Sequence, residues 1–190
     1  MIKVAIIGAE NVGKSTLMNA LIGGKVSEVE DLPGTTKGGI IRRRFGKLKI
    51  PKGMKNPPYG GGADEFVLID TAGLFDPERE LRGGKVLSEE KFREIINEIT
   101  SADIIIHMVD ATVGLHRGGM EKLHHMLKFR YEKPIIVVIN KIDLVPRERV
   151  EELREIIKKR LEQEPIALSL VTYEGFNELL ERIAYMAQYV

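Results

Sequence analysis

The residues best equipped for chemistry in this 190-residue chain lie near its start, in Gly8-Ala9-Glu10-Asn11-Val12-Gly13-Lys14-Ser15. Gly8 and Gly13 permit a tight turn whose backbone N–H groups converge on an anion. A helix beginning near Gly13 adds the positive end of its dipole. Lys14 brings a mobile ammonium, and Ser15 offers a hydroxyl to Mg²⁺. The chemistry is phosphate binding. The apolar run Ile2–Ile7 precedes the stretch and the helix-forming run Ser15–Ile22 follows it, which is the strand–loop–helix context the pattern needs.

Three later stretches extend the same chemistry. Asp70-Thr71-Ala72-Gly73 closes the apolar run Phe66–Ile69. Asp70 can hold Mg²⁺ through water, and the Gly73 N–H can reach a terminal phosphate. Asn140-Lys141-Ile142-Asp143 closes the run Ile135–Ile139. Guanine presents two adjacent donors, N1–H and its N2 amino group, which one carboxylate can accept in parallel. Adenine lacks that pair, so Asp143 would discriminate between them. Asn140 can tie this loop to the phosphate loop, and the Lys141 stem can lie on the base face. The last stretch is Ser169-Leu170, where a backbone N–H can meet guanine O6. On the sequence alone, an ATP-binding site is the alternative, and Asp143 argues against it.

These stretches need elements to position them. Runs at 2–7, 66–69, 104–109, 135–139 and 166–168 are almost wholly apolar, as expected of strands covered on both faces. Ile40–Ile50 differs. Its apolar residues alternate loosely with Arg and Lys, which suits an edge strand. Residues 28–39 and 51–64 read as loops, rich in Gly and Pro. Helices are expected after Gly13, from Ser88, around 117–130, over 147–162 and from Phe176 to Gln188. The pattern predicts an α/β fold: a doubly wound, mostly parallel six-stranded sheet with one antiparallel edge strand. Its ligand site belongs at the carboxyl ends of the strands, where all the polar stretches fall.

Composition narrows the class. Apolar residues make up 43% of the chain, there is no cysteine, and no long uncharged apolar segment occurs. Disulfides and thiolate metal sites are therefore excluded, no transmembrane segment or signal peptide is expected, and the cytoplasm is the expected location. The 190 residues suit one domain, with a basic Gly/Pro-rich insertion at about 46–64. Net charge is only +1, yet Lys37–Ala63 holds eight basic residues and no acid, while the remainder carries 21 basic and 28 acidic residues. Such asymmetry points to an anionic partner for 37–55. His107 is expected to be buried and neutral, whereas His116, His124 and His125 read as surface residues.

In this order the stretches resemble a small GTPase of the branch that includes Era, EngA (Der), TrmE and the G domain of FeoB. Asn11-Val12-Gly13-Lys14-Ser15-Thr16-Leu17-Met18-Asn19, Pro33-Gly34-Thr35-Thr36 and Ser169–Leu179 carry the likeness. The resemblance implies a G domain of the P-loop NTPase fold. It makes Glu10, Asn11, Val12, Gly13, Lys14, Ser15, Thr16, Asn140, Lys141, Asp143, Ser169 and Leu170 the nucleotide contacts. Ser15, Thr36 and Asp70 become the Mg²⁺ ligands, and Lys14, Thr36 and Gly73 the groups acting on the terminal phosphate. Leu74 stands where relatives often place a water-orienting Gln, so hydrolysis of GTP to GDP is expected to be slow. A nucleotide-binding scaffold that hardly hydrolyses is the alternative. In potassium-activated relatives the residue matching Asn11 is a cation ligand, which implies K⁺ as a further cofactor. RNA or a ribosomal particle is the expected partner of the basic segment, and GTP-dependent dimerisation a further expectation.

Overall fold

The computed structural model describes residues 1–23, 27–30, 41–54, 62–71, 89–115 and 119–190, the backbone alone at 27–30. Seven strands form one sheet: β1 (Lys3–Gly8), β2 (Ser27–Glu30), β3 (Ile41–Gly46), β4 (Asp64–Asp70), β5 (Ile104–Asp110), β6 (Ile135–Asn140) and β7 (Ile166–Ala167). Their order is β2-β3-β4-β1-β5-β6-β7. The five strands from β4 to β7 run parallel, and β3 pairs antiparallel with β4, Ile41 facing Ile69 and Gly46 facing Asp64. Those six match the expected architecture. The seventh corrects it: β2 pairs antiparallel outside β3, so β3 is not the edge. Ser-Glu-Val-Glu has no apolar signature, because an outermost strand is held by backbone hydrogen bonds that composition does not reveal.

Strand β3 also ends at Gly46, short of Ile50. A Cβ at Gly46 would stand 2.5 Å from Ile22 Cγ2, so the chain passes close against the end of the first helix. There it continues as an isolated bridge between Leu48 and Ile22. Strand β4 begins two residues earlier than its apolar run, because Asp64 is buried and useful. Its carboxylate accepts from the Ile2 N–H at 2.9 Å and the Leu48 N–H at 3.2 Å.

Helices α1 (Lys14–Leu21), α2 (Glu89–Thr100), α3 (Gly119–His125), α4 (Arg147–Leu161) and α5 (Phe176–Ala187) cover the two faces. Because strand side chains alternate, Val4, Ile6, Ile104 and Ile106 meet α1 and α5, whereas Ala5, Ile7, Ile105 and Val109 meet α2, α3 and α4. Helix α3 passes at Met126 into a π-helical turn, Met126–Arg130, instead of running as one helix over 117–130. His107 is buried, as expected. His124 is not a surface residue: it is fully buried beneath α3, its Nδ1 3.0 Å from that of His107. One Nδ1 donates and the other accepts, so these two atoms satisfy each other, while His124 Nε2 is buried without a partner among the described residues, and spacing on a polar helix could not show it. His125 is partly buried, with Nε2 2.7 Å from the Arg160 carbonyl, and His116 lies outside the described residues.

The parallel strands end in step. Gly8 is in register with Asp70, and Asp110 with Asn140. This lip at the carboxyl ends of β1, β4, β5 and β6 carries the site.

Candidate functional site

Each polar stretch leaves a buried strand and turns at once. After β1 the chain passes through Asn11, whose φ of 64° is left-handed, to Gly13 at φ 102° and into α1. Only glycine fits at 13: a Cβ there would stand 2.5 Å from Asn140 Nδ2, apart from the backbone strain. The first turn of α1 presents Lys14, Ser15 and Thr16.

Lys14 is 7% exposed. Its ammonium donates to the Gly8 carbonyl at 3.0 Å and the Ala9 carbonyl at 2.6 Å. Burial holds its pKa below the ordinary lysine value, with Asp70 and Glu10 pulling it up and Arg42 pushing it further down. A cleft of about 530 Å³ opens over this turn, lined by Glu10, Asn11, Gly13, Lys14, Ser15, Thr16, Arg42, Asp70 and Lys141. The phosphate-loop residues and Asp70, singled out separately along the chain, thus share one cavity.

The second half of the site is tied to the first across long sequence separations. Asn140 Nδ2 donates to the Val12 carbonyl at 2.9 Å. Lys141, left-handed at φ 66°, donates to the Asn11 carbonyl at 2.6 Å and pairs with Asp110 Oδ2 at 2.8 Å. Burial raises the Asp110 carboxyl, but hydrogen bonds from Lys141 and Thr112 outweigh it and hold the group below its usual value. Asp143 is exposed, and its Oδ1 accepts the buried Ser169 hydroxyl at 2.8 Å. Ser169 Oγ in turn accepts from the Val171 and Thr172 N–H groups at 3.2 and 3.1 Å. The loop carrying Ser169 and Leu170 is therefore fixed to the loop carrying Asp143, and Leu170 packs against the α1–α5 side of the core.

Thr36, Gly73 and Leu74 lie outside the described residues, as do Lys37 and Lys55 of the basic segment. The donor set that is described fits Mg²⁺. Ser15 and Asp70 supply one hydroxyl and one carboxylate to the same cleft, and no group of three or more His, Asp or Glu side chains among the described residues makes a metal cage. Mg²⁺ keeps several waters and takes phosphate oxygens, so it needs no such cage.

Two cleft-side residues escaped the sequence reading. Asp110 ends a buried strand, the same signal that singled out Asp70, but no motif accompanies it. Arg42 falls within the basic segment, and its place in the cleft follows from strand alternation beside Ile41 and Arg43.

Comparison with known proteins agrees with this geometry. The family described as 50S ribosome-binding GTPase matches residues 3–141. An uncharacterized protein of Methanocaldococcus jannaschii is 46% identical over 184 residues, covering 95% of this chain and 94% of its own. GTPase Der of Sulfurihydrogenibium is 32% identical over 189 residues, and there the chain spans 38% of the relative's length. Among solved structures, Aquifex aeolicus Era bound to GDP·AlF₄⁻ superposes with a TM-score of 0.62 at 33% identity over 97% of this chain and 56% of that one. Era in complex with MgGDPNP and nucleotides 1506–1542 of 16S ribosomal RNA gives 0.60 at 29% identity, over 97% of this chain and 56% of the other. The cytosolic domain of the Thermotoga maritima FeoB iron transporter gives 0.63 at 26%, over 99% and 64%.

Proposed function

The chain belongs to the P-loop GTPase family of Era, Der and the FeoB G domain, and on that premise we propose that it is a slow, Mg²⁺-dependent GTP switch serving RNA or ribosome assembly. The observation that carries the guanine reading is the cross-tie. Asn140 and Lys141 hold the Asp143 loop against the phosphate loop at 2.9 and 2.6 Å, so one ligand spanning both loops meets a preformed frame. Asp143 accepts the two guanine donors, Lys141 lies along the base, and the N–H groups of Gly13 to Thr16 and the Lys14 ammonium take the phosphates. Lys14 gains a role in exchange for its two carbonyl partners: an anion in the cleft favours its charged form, which burial now disfavours. Ser15 and Asp70, with Thr36, hold Mg²⁺, which neutralises charge on the phosphates when bound. Binding should therefore favour GDP over ADP by at least about 10³-fold. Equal affinities in a competition assay would refute the reading.

Leu74 supports slow hydrolysis, on the order of 10⁻⁴ to 10⁻² s⁻¹ without an activator. Single-turnover measurement separates this from a scaffold that hardly hydrolyses. The same runs in KCl and NaCl test Asn11 as a K⁺ ligand: a faster rate in K⁺ that Asn11→Ala removes supports it, and equal rates count against it.

The partner reading draws on the family description and on the Era complex with 16S ribosomal RNA. Arg43 is held by Glu65 at 2.8 Å and Glu98 at 2.6 Å, and Arg42 lines the cleft, so reversing Arg42, Arg43 and Arg44 of the basic segment would disturb the fold and the site together. Lys47 and Lys52 are exposed, whereas Lys49 is half-buried with its ammonium 5.7 Å from the centre of the Phe176 ring, so among the described residues of the segment Lys47 and Lys52 remain for an anionic partner. Reversing Lys47 and Lys52 to Glu should weaken RNA binding and flatten its salt dependence by about 0.7 per lost phosphate contact, leaving GDP affinity intact. RNA binding unchanged in that variant would remove the segment from the interface.

A further inference from the structure

Arg42, Arg43 and Arg44 are consecutive, yet β3 sends them to three environments. Arg43 completes an ion-pair network with Lys3, Glu65 and Glu98. Arg44 is half-buried, with its Nε shielded from solvent. Arg42 is exposed and lines the cleft beside Lys14, Ser15 and Asp70. No described residue gives it a hydrogen bond or an ion pair. The cleft thus has two cationic side chains at its phosphate end. One is occupied by carbonyls, and the other has no hydrogen-bond or ion-pair partner among the described residues. Arg42 is close enough for its charge to help hold the Lys14 ammonium below its ordinary range, after burial and against Asp70. Asp70 and Glu10 in the same cleft offset part of the repulsion between the two cations, and a bound anion would offset more of it.

We propose that Arg42 is a catalytic residue for GTP hydrolysis, supplied by the same chain, whose guanidinium stabilises the charge that develops on the phosphates. The proposal rests on reading the cleft as the GTP site. Water oxygen bonds to the γ-phosphorus. The bond from that phosphorus to the β–γ bridging oxygen breaks, its electron pair leaves with GDP, and the water proton passes to phosphate or solvent. Arg42 stays protonated throughout and donates N–H bonds to phosphate oxygens. A planar fork can engage two oxygens at once, which an ammonium cannot. Leu74 carries no polar group that could orient a water, so the barrier is open to lowering from the charge side, where a cation in the cleft acts.

The test compares the wild type with Arg42→Ala, Arg42→Gln and Arg42→Lys. Three quantities are read for each: GDP affinity, single-turnover GTP hydrolysis, and the gain in GDP affinity on adding aluminium fluoride, which mimics the phosphoryl group in transit. Arg42→Ala should slow hydrolysis by about 10²-fold or more and lose the aluminium fluoride gain, with GDP affinity within about twofold of wild type. Arg42→Lys should restore part of the rate. Should Arg42→Ala unfold, Arg42→Gln carries the same comparison. Should wild-type turnover be too slow to follow, the aluminium fluoride gain decides. An unchanged rate and gain overturns the proposal. So does a loss of GDP affinity in proportion to the rate, because Arg42 would then serve ground-state binding alone. Wild-type protein that binds no GDP is a different failure, that of the GTP site itself.

Discussion

At the scale of single residues, Asp143 and Asp110 do different work with the same functional group. Asp143 is exposed with one oxygen already on Ser169, and under the proposed function its remaining capacity sets base choice. Asp143→Asn should reverse the donor–acceptor pattern and favour xanthine over guanine nucleotides, measured by competition with labelled GDP. Asp110 does its work through Lys141, to which it is bonded at 2.8 Å. Asp110→Asn leaves the shape but removes the charge, and GDP affinity should fall by about 5–30-fold, corresponding to about 1–2 kcal/mol for a partly buried pair. The guanine-over-ADP ratio should fall less, because Asp143 is untouched. The buried histidines give a third residue-level expectation. Burial depresses His107 to about 4 and His124 to about 3, the latter also through the charges of His107, Lys128 and His125. Unfolded, both titrate near 6.5. The stability of the neutral pair is complete above that pH and is lost as pH falls, because the unfolded chain then binds protons the folded one refuses. From about pH 6.5 to 4 each ring should contribute a slope of up to about 1.4 kcal/mol per pH unit. Urea unfolding across this window should be steeper for wild type than for a His107→Leu, His124→Leu variant. Equal slopes would mean the pair does not stay neutral.

At the scale of elements, the parallel core was legible because burial on both faces leaves near-continuous apolar runs at 2–7, 104–109 and 135–139, and polar residues at their ends announce the ligand edge. Strand β2 was not legible, since backbone pairing at the rim has no side-chain signature. Nor was the partition of the three arginines, for alternation gives two faces but not what waits on each. The site was legible wherever a motif and a strand end coincided, and illegible at Asp110 and Arg42, where only placement speaks. Arg43 shows what placement decides. Its network is partly buried, with side chains 10–21% exposed. Arg43→Met leaves Glu65 and Glu98 with Lys3 alone between them, and should destabilise the fold by about 1–3 kcal/mol, below the cost of breaking a fully buried pair. Chemical denaturation measures this. A cost near zero would return Arg43 to the surface segment and make it available to a partner.

At the scale of the molecule, the described residues of the core form two clusters, one on each face of the sheet, while the ligand lip spans β4, β1, β5 and β6. A nucleotide seated there binds the folded chain alone, and at 100 times its Kd should add about 2.7 kcal/mol. For a chain of this size that is a rise in Tm of about 5–11 °C with GDP and Mg²⁺, and none with ADP. Equal shifts would contradict guanine selection. The cross-ties also impose an order on synthesis. Val12 must wait for Asn140, 128 residues later, and Asp143 for Ser169. On a ribosome adding about 5–20 residues per second, roughly 10–30 s separate the completed phosphate loop from the completed base pocket. Through that interval the emerging chain carries the residues of its phosphate loop without the means to choose a base. Ligand-borne stability reaches only chains translated past Ser169, so a stalled or truncated product is left to the proteases while the longer chain is protected.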